Sequence, residues 1–568
     1  MFVRAKKSGA HHYVQVVHNQ RIDGRVRQHV IATLGRLDVL QQNGQLDGLV
    51  ASAARFAEHT AVLSAHRQGD LVPAETARLG PALVFDRLWR SLGFPHILAS
   101  LLRERKFEFD VERAIFLTVL HRLFDPGSDR AAERWRHQYV IDGTGDLALH
   151  HLYRAMAWLG EPLADEQQSG HTVFAPRCTK DLIEEQLFAR RRDLFSTLDL
   201  TFFDTTSIYF EGEGGESLGQ YGHSKDHRSD RKQMVVGMVS DGEGRPICCE
   251  LWPGNTSDAK TLLPIVDRMR QRFAIGSICI VADRGMISKE TMAQLQTAGR
   301  DTRFLFGARL RAVKEIREEV LSRGGRYHEV RPPRQKKKDP SPLKVKEVWV
   351  EDRRYIVCHN EEQAAKDKAD REAIVASLQD RLRQGPVGLV GNKGYRKYLS
   401  SEAGGGLRID QDKIRCDARF DGKWVLQTDT ELSPAECALK YKDLLLVEQL
   451  FRSVKSILET RPIYHKCDET IRGHVFCSFL ALVLLKELFE RMSERGWHAE
   501  WNHVRDDLES LEEITIRSNG KTFLLRSQTR GEASKAIGAA GVALGPIVRQ
   551  VDPANPPAQA ERSANEDP

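Results

Sequence analysis

Three acidic residues stand at positions where a carboxylate suggests chemistry. Asp204 lies inside the β-prone run LTFFDTTSIYF, and Asp283 directly follows the apolar run SICIVA. Asp is poorly suited to the interior of a strand, and functional groups often follow the carboxyl ends of sheet strands. Two carboxylates on neighbouring strands repel each other unless cations lie between them. Asp204 and Asp283 therefore predict a site for hard divalent cations, which prefer oxygen ligands.

Glu448 is selected by helical geometry. At 100° per residue, Glu448 falls within about 40° of the direction shared by Tyr441, Arg452 and Lys455. A glutamate beside a buried stripe reaches into a site from the border of the core, so the pattern favours a functional role. The apolar stripe that borders this face consists of Val447, Phe451, Val454 and Leu458.

Each of the three acidic residues also has a purely structural interpretation. Asp204 fits a solvent-facing position on an edge strand, and Asp283 fits a cap of the following turn. Glu448 fits a surface ion pair with Arg452, one turn further along the helix. For each residue taken alone, the sequence leaves both interpretations open.

The elements around these residues predict an α/β core. Strand patterns and helix patterns alternate here, which is typical of a hairpin-led sheet joined to crossover helices. In chain order the predicted elements are a strand around Asp204, the strands Gln233–Val239 and Pro246–Trp252, a helix over Ala259–Arg272, the strand Ser277–Ala282, a helix from Ser288 and a short strand Phe304–Ala308.

The segments on either side of this predicted core show different sequence patterns. A hairpin is expected between Tyr13 and Ile31, with its turn at Asp23-Gly24, and helices are expected from about Pro81 to Leu194. A helix with Pro434 near its start precedes an apolar helix over His474–Leu488. The last residues, which are rich in Pro and Ala, are expected to be disordered.

A basic segment interrupts the regular pattern of the core. Residues Arg331–Lys346 hold seven basic residues against one acidic residue, an excess equal to the formal net charge of +6 of the whole chain. Basic residues and prolines so close together resist packing, so an exposed arm or loop is expected. Its cluster Lys336, Lys337 and Lys338 is suited to contact phosphate groups. A strand pair, Lys346–Val350 and Arg354–Cys358, and a charged helix are predicted after it.

Composition narrows the class of protein. At 568 residues the chain is too long for one core, and two to four domains are expected. The absence of a long apolar run and of a signal-peptide core argues against a membrane span or secretion. Nine cysteines without a CxxC pair argue against a disulfide framework or a zinc ribbon, and are typical of a reduced, cytoplasmic protein.

Five short motifs carry a family resemblance. The runs DTTSIYFEG, GHSKDHRSDRKQ, PGNTSD, VADRGM and YKDLLLVEQLFRSVKSILETRPIYH, in this order, resemble the DDE transposases of bacterial insertion sequences. The last run is similar to a Tyr-x2-Arg-x3-Glu-x6-Lys signature, which Tyr441, Glu448 and Lys455 match. Leu444 stands where that signature has Arg, and Arg452 on the same helical face is a candidate to supply the missing charge.

The resemblance implies an RNase H-like catalytic core, interrupted by a β-rich insertion and preceded by a mainly helical, DNA-binding N-terminal region. The expected boundaries are 1–195 for the N-terminal hairpin and helical region, 196–309 for the first part of the core, 310–413 for the basic insertion, 414–490 for the second part of the core with the Glu448 helix, and 491–568 for a C-terminal region with a disordered tail.

The resemblance also implies chemistry and partners. Asp204, Asp283 and Glu448 would hold two Mg²⁺ (or Mn²⁺) ions, and the substrate would be double-stranded DNA at transposon ends and targets. A homodimer in the synaptic complex, no membrane partner and a cytoplasmic, nucleoid-associated location are expected. Trp349 in the insertion is the candidate to stack on an extruded base. The expected phosphate contacts are Tyr441, Arg452, Lys455, Lys225, Arg228, Lys336, Lys337 and Lys338.

Two other classes of protein share part of this pattern. A catalytically inactive DNA-binding protein derived from a transposase would keep the fold, but all three carboxylates are present here. A metal-dependent hydrolase of small phosphoesters would share the carboxylates, but has no use for a basic insertion or a long helical N-terminal region. Activity on DNA, compared with activity on a generic phosphate ester, separates these classes from a transposase.

Overall fold

The computed structural model describes most of the chain. Most of the predicted helix from Ser288, the predicted turn at Asp23-Gly24 and the tail beyond Val551 lie outside the described residues. Among the helices that are described, none combines the length and apolar character needed to cross a membrane. The described residues are 2–22, 25–54, 72–168, 175–191, 201–273, 278–283, 286, 292–293, 295, 302–336, 339–384, 396–401, 407–518 and 521–551.

The strands and helices have the following bounds. The strands are β1 (Phe2–Ser8), β2 (His11–Ile22), β3 (Arg25–Arg36), β4 (Val72–Arg78), β5 (Thr201–Tyr209), β6 (Gln233–Ser240), β7 (Pro246–Pro253), β8 (Ile278–Ala282), β9 (Thr302–Gly307), β10 (His328–Arg331), β11 (Leu343–Val350), β12 (Arg353–His359), β13 (Leu399–Ser401), β14 (Leu407–Ile409), β15 (Lys423–Thr428), β16 (Glu512–Ser518), β17 (Lys521–Arg526) and β18 (Val548–Val551). The α-helices are Leu37–Gln42, Gln45–Ala54, Gly80–Ser91, Phe94–Leu102, Val111–Phe124, Asp129–Trp135, Leu149–Gly160, Thr179–Arg191, Leu262–Phe273, Glu361–Gln384, Gln411–Ala418, Pro434–Ser456, Asp468–Glu494, Trp501–Glu509 and Gly531–Ala540.

The chain divides into two compact units, and the smaller one is mainly β. It comprises residues 1–77, 511–528 and 545–568. Strands β1, β2 and β3 form an antiparallel sheet, which contains the predicted hairpin, and a second sheet has the order β18-β17-β16-β4. The hairpin strands β2 and β3 are 12 residues each. This unit therefore joins the beginning of the sequence to segments near its end.

The larger unit, residues 78–510 and 529–544, is built on a nine-stranded sheet. Its order is β10-β11-β12-β15-β9-β8-β5-β6-β7. Strands β5, β6 and β7 form an antiparallel meander, and β8 and β9 continue from β5 in parallel. This arrangement of the five strands β5 to β9 is that of an RNase H-like core. The meander turns at the predicted place, where Asp241 accepts the backbone N–H groups of Glu243 and Arg245.

The residues between β9 and β15 add to the same sheet. Strand β15 pairs with β9 on one side and with β12 on the other, and β11 and β10 continue outward. The predicted charged helix is Glu361–Gln384. Ile414, where regular structure was expected to resume, lies in the helix Gln411–Ala418. The segment predicted as an exposed arm is exposed over residues 332–336, between β10 and β11.

The N-terminal helices pack around a helix from the other end of the sequence. The helix Asp468–Glu494 is buried from His474 to Leu485, and it crosses the helix Leu149–Gly160 closely. A Cβ built on Gly473 would overlap the carbonyl of Met156, so this crossing requires glycine. Residues 78–191 therefore belong to the same compact unit as the sheet, whereas the sequence placed them with the N-terminal hairpin.

A buried ion network also ties these helices to the sheet. The Lys180 ammonium donates to the carbonyl of Cys249 on β7 over 2.7 Å. Arg272 pairs with Glu184 over 2.6 Å, and both side chains are almost fully buried. A buried charge without a partner is strongly destabilising, so these pairings hold the helix Thr179–Arg191 against β7 and against the helix Leu262–Phe273.

Candidate active site

Asp204 and Asp283 lie side by side at the point where β8 ends. Strand β5 is buried except at Asp204 and Tyr209, which are half-buried. Phe203 on β5 is in register with Ala282 on the parallel strand β8, so the next residues along the two chains are Asp204 and Asp283. Adjacent strands are about 4.8 Å apart, which brings the two carboxylates within reach of shared cations.

The electrostatics of Asp204 reflect this crowding. The pKa of Asp204 is raised to about 6, mainly by burial and in smaller part by the charges of Asp283 and Glu448. The Lys225 ammonium opposes this effect, as does the backbone N–H of Thr205, which donates to Asp204 Oδ1 over 2.7 Å. Asp283 and Glu448 are thus both close enough to Asp204 to act on its charge. An all-oxygen donor set with excess negative charge fits a hard divalent cation.

Glu448 reaches this place from the helix Pro434–Ser456. The helix begins at Ser433, whose side chain forms a capping box with Glu436, and Pro434 occupies the first turn. The four residues of the predicted apolar stripe are buried, while Glu448 is exposed. Together with Asp283 and Tyr441, Glu448 lines a cavity of about 820 Å³. The cavity extends from the core to the residues that precede β15.

Tyr441 binds one of the carboxylates directly. Its hydroxyl donates to Asp283 Oδ1 over 3.1 Å. A Cβ built on Gly307 of β9 would overlap this hydroxyl, so a glycine there makes room for the tyrosine. The sequence predicted Tyr441 as a phosphate contact, and the structure gives it a hydrogen bond to Asp283.

Lys225 supports β5 from the loop between β5 and β6. Its ammonium donates to the carbonyl and hydroxyl oxygens of Thr205 over 2.7 and 2.9 Å, and lies 3.2 Å from Asp258 Oδ2. The Thr205 hydroxyl in turn donates to Asp258 Oδ1 over 2.8 Å. Asp258 was not among the predicted site residues. It ends the PGNTSD motif, and its place in that motif was the sequence feature that would have identified it.

Lys455 is held by a buried acid from the same loop. Its ammonium donates to Asp226 Oδ1 over 2.8 Å, and Arg461 also pairs with Asp226. Arg228, two residues further on, pairs with Asp230 over 2.9 Å and lies over the ring of Tyr209. The loop residues 224–230 therefore connect β5 with the end of the Glu448 helix.

The other predicted contact residues are not part of the described lining of the cavity. Arg452 is exposed one turn beyond Glu448, outside the described lining of the cavity. Lys336 is exposed, and Lys337 and Lys338 lie outside the described residues. Trp349 on β11 is 50% exposed, and it too is outside the described lining. The tryptophan that does line the cavity is Trp424 on β15.

A second cluster of potential metal ligands does not suit a metal. Asp129, His465 and His474 come together among the helices. The guanidinium of Arg122 lies 2.9 Å from Nδ1 of His474, and burial followed by this positive charge holds the pKa of His474 well below its usual value. Because the Arg122 guanidinium already occupies the position beside this imidazole, a metal ion there would meet a like charge.

An RNase H-like sheet with acidic residues on adjacent central strands and a third on a later helix defines a class of phosphoryl-transfer nucleases. Comparisons with known proteins narrow this class. Residues 196–484, just over half of the chain, match the family described as "Transposase DDE domain". Residues 2–65 match "IS1634 family transposase, N-terminal domain". The chain belongs to the DDE transposases of bacterial insertion sequences.

Two further comparisons complete this account. The chain is similar to the piggyBac transposase in a cryo-EM structure of its synaptic complex with hairpin DNA, with 10% sequence identity and a TM-score of 0.36. The match covers 76% of this chain and 79% of that one. No curated protein sequence matches the chain. By its family, the protein is a DNA transposase, and the interpretation as an inactive DNA-binding derivative is not favoured.

Proposed function

We propose that Asp204, Asp283 and Glu448 together hold two Mg²⁺ (or Mn²⁺) ions, and that the protein cleaves DNA at the inverted-repeat ends of an insertion sequence and joins those ends to target DNA. The observation that carries this proposal is the register of β5 with β8, which makes the carboxylates of Asp204 and Asp283 neighbours across adjacent strands. Glu448, on the wall of the adjoining cavity, supplies the third.

Each residue of the site has a separate task in this proposal. When bound, paired divalent ions activate a water or 3′-hydroxyl nucleophile and stabilise the leaving oxygen of an in-line displacement. Asp204 and Asp283 hold the ligand positions on rigid strands, and Tyr441 fixes the orientation of the Asp283 carboxylate. Lys225 and Asp258 keep the backbone around Thr205 in place beside Asp204.

The DNA partner is assigned to basic residues around this site. Arg452, Arg228 and the exposed Lys336, with Lys337 and Lys338 in the same arm, are suited to phosphate oxygens because they contribute charge without reading sequence. Lys455 is the last member of this set. DNA bound there displaces or shares the contact between the Lys455 ammonium and Asp226. Two ends must be held together for strand transfer, so a homodimer is the expected synaptic assembly, acting on the bacterial nucleoid in the cytoplasm.

Strand cleavage by isosteric variants tests the catalytic assignment. Asp204→Asn, Asp283→Asn and Glu448→Gln should each abolish Mg²⁺-dependent cleavage of a DNA duplex that carries the element's end, while end binding and thermal unfolding stay near the wild type. A suitable control is Glu431→Gln, since the Glu431 side chain is 95% exposed. Near-wild-type cleavage by any one of the three variants would remove that residue from the site.

A further inference from the structure

The hairpin of β2 and β3 in the smaller unit is exposed, and beyond the end of β1 it continues as a two-stranded ribbon. Every described residue of its outer part, His18–Arg21 on β2 and Val26–Thr33 on β3, is exposed, so neither face of the ribbon is covered. Its exposed residues include Val26 at 62%, Val30 at 46% and Ile31 at 55%. Isolated two-stranded hairpins are marginally stable in water. A ribbon of this length with apolar side chains exposed on it is expected to have a partner.

The charge of this region identifies the kind of partner. Residues 2–36 hold seven Lys or Arg residues and four His residues against a single acidic residue, Asp23. This excess of six is as large as the formal net charge of the whole chain. The outer part of the ribbon holds Arg, His, Asn and Gln side chains and no acidic residue. A polyanion is therefore the complementary partner.

The types of side chain narrow the polyanion to duplex DNA read through its major groove. Arg suits the N7 and O6 acceptors of guanine, and Asn or Gln suits the N6 and N7 groups of adenine. Apolar side chains contact the methyl group of thymine. A two-stranded ribbon also fits the major groove, which is about 12 Å wide. At about 3.3 Å per residue, the part of β2 beyond β1, His18–Ile22, extends for about 17 Å.

The register of β2 with β3 sorts the polar side chains onto two faces. Gln20 is opposite Arg27 and His18 is opposite His29, so these four share one face. Asn19 is opposite Gln28 and shares the other face with Arg21. On that second face Gln28 already accepts a hydrogen bond from Arg4 of β1. The face of Gln20 and Arg27 is therefore the better candidate for contacts to bases.

We propose that this ribbon enters the major groove of the terminal inverted repeat and that Gln20 and Arg27 read its bases. The inference rests on the proposed function and adds to it the element that recognises the ends. The remaining basic residues of β1 to β3 then contact phosphates on both sides of the groove, which gives affinity without specificity. The sequence had assigned end recognition only to the N-terminal region as a whole.

A pair of matched double variants tests the ribbon. The full-length protein is titrated with a duplex carrying the inverted repeat that flanks its gene, and with a duplex of shuffled sequence. Gln20→Ala with Arg27→Ala should lower affinity for the repeat roughly 5- to 150-fold per lost base contact, with a much smaller change for the shuffled duplex. Asn19→Ala with Arg21→Ala also removes one amide and one guanidinium, but from the other face, and should largely preserve the preference for the repeat.

Modified DNA supplies a second test that leaves the protein intact. Replacing guanine by 7-deazaguanine in the repeat removes the N7 acceptor from the major groove. This should weaken wild-type binding and leave the Gln20→Ala, Arg27→Ala variant unaffected. Equal losses for both duplexes, no loss, or insensitivity of the wild type to 7-deazaguanine would each overturn the ribbon proposal. If the wild type itself shows no preference for the repeat, the proposed function fails with it.

Discussion

The hydroxyl of Tyr441 donates a hydrogen bond to Asp283 over 3.1 Å, from a helix that starts some 150 residues further along the chain. This contact joins the residue that ends β8 to the helix that carries Glu448. It depends on Gly307, because any side chain at that position would overlap the tyrosine hydroxyl. Two of the three carboxylates are therefore positioned by one helix, one as part of it and the other through Tyr441.

Removing that hydroxyl should impair cleavage without unfolding the protein. A hydrogen bond to a charged group contributes about 1.5–3 kcal/mol, so Tyr441→Phe should slow single-turnover cleavage roughly 10- to 150-fold. Because Asp283 is a proposed metal ligand, the Mg²⁺ concentration for half-maximal cleavage should also rise. The matched control is Tyr221→Phe, since Tyr221 is 62% exposed. A slower rate with an unchanged Mg²⁺ dependence would instead assign Tyr441 to phosphate binding.

Lys225 and Arg228 should behave differently, although both were predicted as phosphate contacts. The Lys225 ammonium is engaged by Thr205 and Asp258, so Lys225→Met should slow cleavage about tenfold or more and leave the salt dependence of DNA binding unchanged. Arg228 pairs with Asp230, which is 62% exposed, and Arg228→Met should reduce the salt slope by about 0.9 for its lost phosphate contact. Affinity measured across a salt series, beside cleavage rates, distinguishes the two. The same salt effect for both variants would contradict the structural role of Lys225.

Local pattern predicted much of this site. The strand that contains Asp204, the strand before Asp283 and the buried stripe of the Glu448 helix all have the predicted bounds to within a few residues, because side-chain periodicity directly reports burial. Leu444 shows where a sequence motif alone fails to predict the environment of a residue. The sequence marked it only as a missing Arg, whereas the structure buries it at 4% exposure. Leu444→Arg is therefore expected to destabilise the helix packing rather than to restore a phosphate contact.

Local sequence pattern did not predict contacts between residues that are distant in the sequence. Nothing near Lys455 indicates that its ammonium is held by Asp226, since the two residues are brought together only by the fold. The same holds for the pair of Tyr441 and Asp283. The basic segment Arg331–Lys346 was predicted as an arm because basic residues and prolines dominate that short window. In the structure β10 and β11, at its two ends, extend the core sheet.

Asp226 should matter for stability, in contrast to its exposed neighbour Asp230. Asp226 is 8% exposed and pairs with both Lys455 and Arg461. Asp226→Ala leaves two partly buried cations facing each other, and should lower the free energy of unfolding by about 1–3 kcal/mol. Asp230→Ala should stay within about 0.5 kcal/mol, as is typical of surface changes. Urea denaturation of both variants measures this difference, and equal stabilities would contradict the buried ion cluster.

Trp349 and Trp424 are alternative candidates for the residue on which an extruded base stacks. The resemblance selected Trp349, which is 50% exposed on β11, whereas Trp424 lines the cavity with Asp283 and Glu448. A base–aromatic stack contributes about 1–3 kcal/mol, so Trp424→Ala should weaken binding of a DNA end with an unpaired base at the cut roughly 5- to 150-fold. Trp349→Ala should have a much smaller effect.

The Trp424 side chain is half-buried, and the Lys442 ammonium lies 5.7 Å from the centre of its ring. Controls are therefore needed to separate base stacking on Trp424 from the packing of Trp424 within the protein. Trp424→Phe retains an aromatic face and should recover most of the affinity, because stacking requires a ring rather than the indole N–H. Urea denaturation of each variant shows whether a loss of binding reflects a loss of fold. If Trp349→Ala weakens binding and Trp424→Ala does not, the base leaves the helix away from the cavity, and the assignment drawn from the resemblance is the right one.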